Sequence, residues 1–437
     1  MNLLLLFMSL LFYTFGEPKY IILLLITVAV NYFGGLLIGT WGESNRKKAV
    51  LAAAVVLNLG ILGYFKYYAF AAETWNLLMR KEILSPREIA LPVGISFYTF
   101  QALSYVIDLY RGKCGVQRSF YKLLLYISFF PQLIAGPIVR YQSIEAQIDK
   151  RQVDFEKFSE GVARFITGLG KKVILANTFA ETVDRIFAMN LIELGTFAAW
   201  YGIILYAMQI YFDFSGYSDM AVGMGKMFGF DFQENFRMPY CAVSIREFWR
   251  RWHISLSEWF KEYVYIPLGG SRRGLSRTCV NLFIVFLVTG LWHGAGWNFI
   301  VWGMLHGVCI ILERLVGEKR QKQSQSFPRF LGHGYCLLVV LVAWVFFRAE
   351  TLTESFAYLS SMFRISSGNV DAAELFSRKL IVLSAVGALL CGAVPEPVQK
   401  NIWNQSWFRG LALPCVMVLC LILLAADSYN PFIYFRF

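Results

Sequence analysis

Charge is what this chain has least of. Only 16% of its 437 residues are Asp, Glu, Lys or Arg, where a soluble globular domain carries about 25%. Histidine is scarcer still, with four in all: His253, His293, His306 and His333. No CxxC pair occurs among the eight scattered cysteines, and with so few histidines a zinc site has no ligand spacing to rest on. No P-loop, GxSxG elbow or HExxH helix is present, which argues against an ATPase, a serine hydrolase of that type and a zincin. The shortage of charge also excludes a disordered chain. What remains is apolar: 57% hydrophobic and 17% aromatic, with a mean hydropathy of +0.51. Such a composition belongs in a bilayer. The net charge of +12 then reads as basic cytoplasmic loops facing anionic lipid rather than as a nucleic-acid surface.

Charge-free runs occupy residues 2–16, 20–42, 49–65, 89–107, 123–139, 194–212, 278–312, 330–347, 380–395 and 410–426. Crossing the hydrocarbon takes roughly 20 helical residues. The run 278–312 is too long for one span and holds Gly294 and Gly296, so it reads as two segments broken at 293–297. The expectation is an all-α polytopic membrane protein of about eleven membrane segments, some re-entrant. Within 123–139, FFPQLIAGPI carries Pro131, Gly136 and Pro137. Broken backbone at membrane depth persists only where protein or a water-filled cavity satisfies it, so this segment is expected to line something. The basic loops at 46–48 and 111–122 fall on one side, which the positive-inside rule makes cytoplasmic, although Arg80 and Lys81 work against it. Residues 151–172 mix apolar and basic residues and read as an interfacial helix. Residues 318–329 read as a solvated linker, and 2–16 as a span rather than a cleaved signal.

Histidine transfers protons near neutrality, and an ionisable residue in a membrane segment implies function by default. His293 lies in GLWHGAGWNF, a segment without charge, between Trp292 and Trp297. The two tryptophans would supply apolar walls and the two glycines room for close approach. The structural alternative is a histidine bonded between helices. His253 lies in REFWRRWHISLSEWF; helical spacing would align Arg246, Arg250, His253 and Ser257 on one face beside a stripe of Trp249, Trp252, Leu256 and Phe260. That face suits either phospholipid headgroups or the phosphates of an acyl donor, and periodicity does not separate the two. His306 reads as a helix-packing residue, and His333 flanks a span without a role. Asp213 and Asp219 are expected to pair with arginines of the basic segment 244–277.

Five stretches then resemble one family: PVGISFYTFQALSYVIDLYRG (92–112), FFPQLIAGPIVRY (129–141), YFDFSGYSDMAVGMGKMFGF (211–230), NFRMPYCAVSIREFWRRWHISLSEWFKEYVYIPLGG (235–270) and GLWHGAGWNFIVWGMLHG (290–307). Together they resemble the membrane-bound O-acyltransferases, in the branch of alginate O-acetyltransferase-like proteins, from about residue 10 to about residue 350. The resemblance implies a funnel-shaped helical core, assigned here to residues 111–350, between N-terminal spans at 1–110 and C-terminal spans at 351–437. It implies a multi-pass protein of the bacterial cytoplasmic membrane. The activity implied is acyl transfer, most simply of acetyl, from a cytoplasmic thioester toward hydroxyls of a cell-envelope polysaccharide. The donor would be acyl-coenzyme A or an acyl-carrier thioester, with no bound cofactor or metal and no nucleic acid. An extracytoplasmic partner of the SGNH, esterase-like kind would complete the transfer.

The family's near-invariant histidine falls on His293, in its WHG motif, and its second histidine on His253. On this reading His293 is the general base and His253 positions the thioester or assists proton transfer. Arg250 and Arg251 draw the donor's phosphates, Asn298 adds a hydrogen bond, and Trp292 and Trp297 wall the site. Members of this branch usually begin with one further span, and the chain reads as starting after it. His293 stands sixteen residues beyond Arg277, about 24 Å along a straight helix, so either that helix is tilted or re-entrant or the donor reaches it through a deep channel. The alternatives are D-alanyl transfer to teichoic acid from a carrier-protein thioester, a transporter or flippase using its broken spans, and a scaffold without chemistry.

Overall fold

The computed structural model describes residues 1–437 except 42–43, 88, 192, 323–327, 367, 369–374, 376, 395, 404, 427–431 and 433–437. Among the described residues every regular element is helical. Six helices are long and apolar enough to cross a membrane: Ile21–Thr40, Asn45–Met79, Leu275–His293, Trp297–Gly317, Arg329–Arg348 and Ser406–Ala426. Asn2–Gly16 is a shorter apolar helix. The protein is therefore a polytopic, all-helical membrane protein, with six of the expected spans meeting both criteria. The chain divides into two compact units: Met1–Val162 with Ala221–Gln233, and Ala163–Met220 with Glu234–Phe437.

The first unit starts with α1 (Asn2–Gly16), α2 (Ile21–Thr40) and α3 (Asn45–Met79). Asn31 of α2 and Asn58 of α3 exchange side-chain hydrogen bonds of 3.0 and 3.1 Å, so two amides buried between apolar helices satisfy each other. Next come α4 (Ile95–Tyr110), α5 (Phe120–Ser128), α6 (Phe130–Leu133) and α7 (Tyr141–Asp149). The expected break in 123–139 is present. α5 stops at Ser128, and Pro131 sits in the first turn of the four-residue α6. The freed backbone is answered from within the unit: Tyr126 donates its hydroxyl to the Val139 carbonyl at 2.8 Å, and Gln132 donates its amide to the Tyr126 carbonyl at 2.8 Å. Gly94 starts α4 at φ 78°, and a Cβ there would also press on the Leu133 carbonyl. Only glycine meets both demands.

α8 (Phe155–Gly170) continues through a π-helical turn (Lys171–Ala176) into α9 (Asn177–Ala188), and α10 (Thr196–Met227) runs for 32 residues. In the second unit Asp213 pairs with Lys172, and Asp219 pairs with Arg164 at 2.7 Å and Lys171 at 2.6 Å. These aspartates were expected to meet arginines of 244–277. Their cations come instead from α8 and the π turn, because Gly168 and Gly216 let the two helices close until a Cβ on either would strike the other's carbonyl.

The segment expected to be one amphipathic helix is two. α11 (Ile245–Trp249) and α12 (Ile254–Phe260) are separated by a turn in which His253 adopts φ 43°, ψ 56°. Arg250 is exposed and His253 fully buried, so the proposed common face does not exist. The second unit continues with α13 (Leu275–His293), α14 (Trp297–Lys322), α15 (Arg329–Arg348) and α16 (Leu352–Phe363), and later helices over Arg378–Ala388, Glu396–Trp403 and Ser406–Ala426. α14 carries helix into the expected linker as far as Lys322; 323–327 lie outside the described residues. His333 lies within α15, its Nδ1 3.2 Å from the Ala242 carbonyl, rather than at a loop.

Candidate functional site

The break expected at 293–297 places His293 as the last residue of α13 and lets the chain reverse into α14. The two helices run back to back because Gly290 faces the Phe299 carbonyl and Gly303 the Phe286 carbonyl, with no space for a Cβ at either. Small residues are how apolar helices approach this closely. The outcome is that Trp302, one turn into α14, stands beside His293. Three aromatic rings meet the His293 imidazole edge to face: Trp292 at 4.8 Å, Trp302 at 4.8 Å and Phe347 of α15 at 5.2 Å. His293 is buried, and so are Trp292, Trp302 and Phe347. The space beside Gly294 is filled by the Phe299 ring, and that beside Gly296 by the Asn298 side chain. Both glycines thus admit the protein's own side chains.

His253 is reached from Trp292, whose other neighbour is His293: the His253 and Trp292 rings are 6.0 Å apart. One indole therefore neighbours both histidines, which come from sequence-distant elements of the same unit. Phe214 of α10 meets His253 edge to face at 4.7 Å, and Phe236 lies 6.5 Å away. The turn is fixed by residues 235–237. Asn235 accepts the Ile254 amide on its carbonyl at 3.0 Å, and Arg237 donates its amide to Arg251 at 2.9 Å. Asn235 Oδ1 also receives the Ser255 amide at 3.2 Å and the Ser255 hydroxyl at 2.9 Å, and lies 3.1 Å from His253 Nδ1. These contacts hold a non-glycine residue in the left-handed region, a conformation that costs of order 1–3 kcal/mol and concentrates at functional sites. The turn lies outside the six spans, and burial pushes the His253 imidazole down to about 3, so the ring is neutral at physiological pH.

The remaining residues expected at the site separate. Arg251 is committed: it pairs with Glu247 at 2.7 Å and donates to the Arg237 carbonyl at 3.2 Å. Arg250 and Arg246 are exposed. α11, which carries Arg246, is capped at its start by Ser244, whose hydroxyl accepts the Glu247 amide at 3.1 Å, and by Glu313 of α14, which accepts the amides of Ile245 and Arg246. Asn298 donates to the carbonyls of Phe346 at 3.2 Å and Ala349 at 2.8 Å, fastening the end of α15 to the start of α14. Trp297 is 48% exposed and is no wall of the histidine site. Trp302 and Phe347 hold that place. Nothing in spacing marked Asn235, Trp302 or Phe347, although the first two stand in the family-like stretches 235–270 and 290–307. His306, one turn past Trp302, is fully buried with its ring 5.0 Å from Trp302 and 5.4 Å from Trp249, in keeping with a packing role.

This arrangement provides two buried imidazoles in an aromatic enclosure, with exposed Arg246 on a neighbouring short helix and exposed Arg250 just past its end. Residues 115–357 match the family described as MBOAT, membrane-bound O-acyltransferase family. Over its whole length the chain is 39% identical to the "Probable alginate O-acetylase AlgI" of Pseudomonas putida, covering 94% of that protein. It is 42% identical to the protein of the same description from Pseudomonas syringae pv. tomato, covering all of this chain and 95% of the relative. It is also 32% identical to the "Peptidoglycan O-acetyltransferase" of Helicobacter pylori, over 98% of this chain and 90% of that one.

Proposed function

The chain belongs to the membrane-bound O-acyltransferase family and is an O-acyltransferase, and on that premise we propose that it passes acetyl groups from a cytoplasmic thioester toward hydroxyls of a cell-envelope polysaccharide. The observation that carries the reading is that buried His293 and His253 both neighbour the Trp292 ring. Thioester acyl transfer needs a base for the acceptor's proton and a hydrogen-bond donor for the developing oxyanion. His293 acts as the base in this reading: it takes the hydroxyl proton as oxygen attacks the thioester carbon, the C–S bond then breaks, and the proton passes to the leaving thiolate. The aromatic rings around both imidazoles exclude water, which would otherwise hydrolyse the thioester.

Arg250, exposed on the turn that leads to His253, draws the phosphates of the donor; Arg251 shapes that turn through Glu247 and Arg237. α13 is uninterrupted from Leu275 to His293, and a donor that reaches in through a deep channel would cover the distance from the basic loop. A thin arm of the pantetheine type, on coenzyme A or a carrier protein, is of the right shape to reach His293. The acceptor side then lies across the cytoplasmic membrane, where an esterase-like partner delivers the group to the polymer. Acetyl is favoured over D-alanyl because full-length identity runs to proteins described as acetylases. A transporter without covalent chemistry does not account for membership of an acyltransferase family.

The test uses isolated membranes containing the full chain, supplied with radiolabelled acetyl-coenzyme A or with a D-alanyl carrier-protein thioester. Label from acetyl-coenzyme A appearing in envelope polysaccharide, and absent with His293→Ala, supports the reading. Incorporation only from the D-alanyl carrier overturns the acetyl assignment.

A further inference from the structure

The side chain of Asn235 makes contacts that decide more than the shape of a turn. Its Oδ1 receives a backbone N–H, that of Ser255, at 3.2 Å. A backbone amide only donates, so the atom facing it is the carbonyl oxygen and not the amide nitrogen. The amide nitrogen lies on the other side, where it donates to Ser218 Oγ of α10 at 3.2 Å. With the orientation of the amide settled in this way, the 3.1 Å contact from Oδ1 to His253 Nδ1 has one chemical meaning: Nδ1 carries the hydrogen and donates it. The Ser255 hydroxyl also gives its proton to Oδ1, at 2.9 Å, so its 3.4 Å approach to Nδ1 is no competing donor.

We propose that Asn235 is a positioning residue that locks neutral His253 in its Nδ1–H tautomer and so makes Nε2 a proton acceptor. The inference rests on the acyl-transfer reading of this site and assigns a role within it. His253 had two roles open to it: holding the thioester oxygen through an N–H, or carrying a proton. A neutral ring with its hydrogen on Nδ1 has no N–H at Nε2 to offer an oxyanion. It has a lone pair. In the transfer one proton moves from oxygen to sulfur as the C–O bond forms and the C–S bond breaks. Nε2 takes that proton over after His293 has drawn it from the hydroxyl, with the imidazolium steadied by its Nδ1–H bond to Asn235, and gives it up to the thiolate. Among the described groups that face the ring are Asn235 and Phe236 from the preceding loop, Phe214 from α10, Trp292 from α13 and Ser255 from α12. Asn235 is the neutral acceptor among them that sets the ring's tautomer.

The experiment is nitrogen NMR on the full-length protein in nanodiscs with labelled histidine. The chain has only four histidines, and His253→Gln identifies the signal of interest. The expected result is a pyrrole-type Nδ1 and a pyridine-type Nε2 at His253. An Nε2–H tautomer in the wild-type protein overturns the proposal whatever the enzyme's activity. Asn235→Ala should lower acyl transfer by about 100-fold and mix the tautomers. Asn235→Asp keeps the acceptor but adds a negative charge beside the ring, so it should retain the tautomer and move the acid limb of the pH–rate profile to higher pH. A pH profile unchanged in Asn235→Asp, with a loss equal to that of Asn235→Ala, would reduce Asn235 to a structural residue. The NMR signature present in a protein that transfers no acyl group from any thioester would instead refute the functional reading and leave the tautomer standing.

Discussion

The rings of His293 and Trp302 meet edge to face with centroids 4.8 Å apart, and they do so because two glycines remove the side chains that would hold α13 and α14 apart. Gly290 and Gly303 each lie against a carbonyl of the opposite helix. The enclosure of the candidate base is thus set by backbone approach as much as by the aromatic residues themselves.

Gly303→Ala should therefore disturb His293 without touching it. The added methyl meets the Phe286 carbonyl, and backbone yields less readily than a side chain, so a stability loss of about 1–3 kcal/mol is expected. Transfer activity should fall further than protein level. Thermal unfolding in detergent and the specific activity of the surviving protein check both parts. Unchanged activity would mean that the spacing of α13 and α14 does not govern the site.

Arg250 and Arg251 are neighbours with different duties. Arg251→Ala removes a partly exposed pair with Glu247 and a bond to the Arg237 carbonyl, for an expected loss of about 1 kcal/mol. Arg250→Glu alters an exposed residue and should leave stability within about 0.5 kcal/mol. It should raise the KM for a phosphate-bearing donor roughly tenfold at low salt and less at high salt. Donor kinetics at two ionic strengths, alongside melting curves, separate the two.

The pH dependence of stability follows from His253. Its folded imidazole is pushed down to about 3 by burial, against about 6.5 for an unperturbed histidine. Between those values the unfolded chain binds a proton that the folded chain refuses. The stabilisation is fully present above about pH 6.5 and is lost as pH falls toward 3, with a slope of up to about 1.4 kcal/mol per pH unit. Melting temperature in detergent should fall from pH 7 to pH 5, and fall less in His253→Gln. Equal slopes in the two proteins would show that the ring is not buried in its neutral form.

What the sequence made legible was whatever a single segment determines. The reversal after His293 was visible in Gly294 and Gly296, and the broken stretch 129–137 in Pro131, Gly136 and Pro137; both breaks are present. The division of α11 from α12 was not visible, because helical periodicity runs unbroken through 245–260. The break is imposed by Asn235, eighteen residues before His253. The partners of Asp213 and Asp219 were missed for a related reason. Arg164 and the two lysines reach them across a glycine contact between helices, and no local pattern encodes it. Trp297 and Trp302 look alike in a charge-free run, yet one is exposed and the other fully buried. Which of them faces His293 depends on the turn that starts α14.

His293, on this reading, is the base of an acyl transfer to envelope polysaccharide. The most direct measurement is O-linked acetate on that polysaccharide in a deletion strain carrying wild-type protein or His293→Ala at matched membrane levels. Acetate restored by the wild type and absent with His293→Ala is the predicted result. Full restoration by His293→Ala would contradict it.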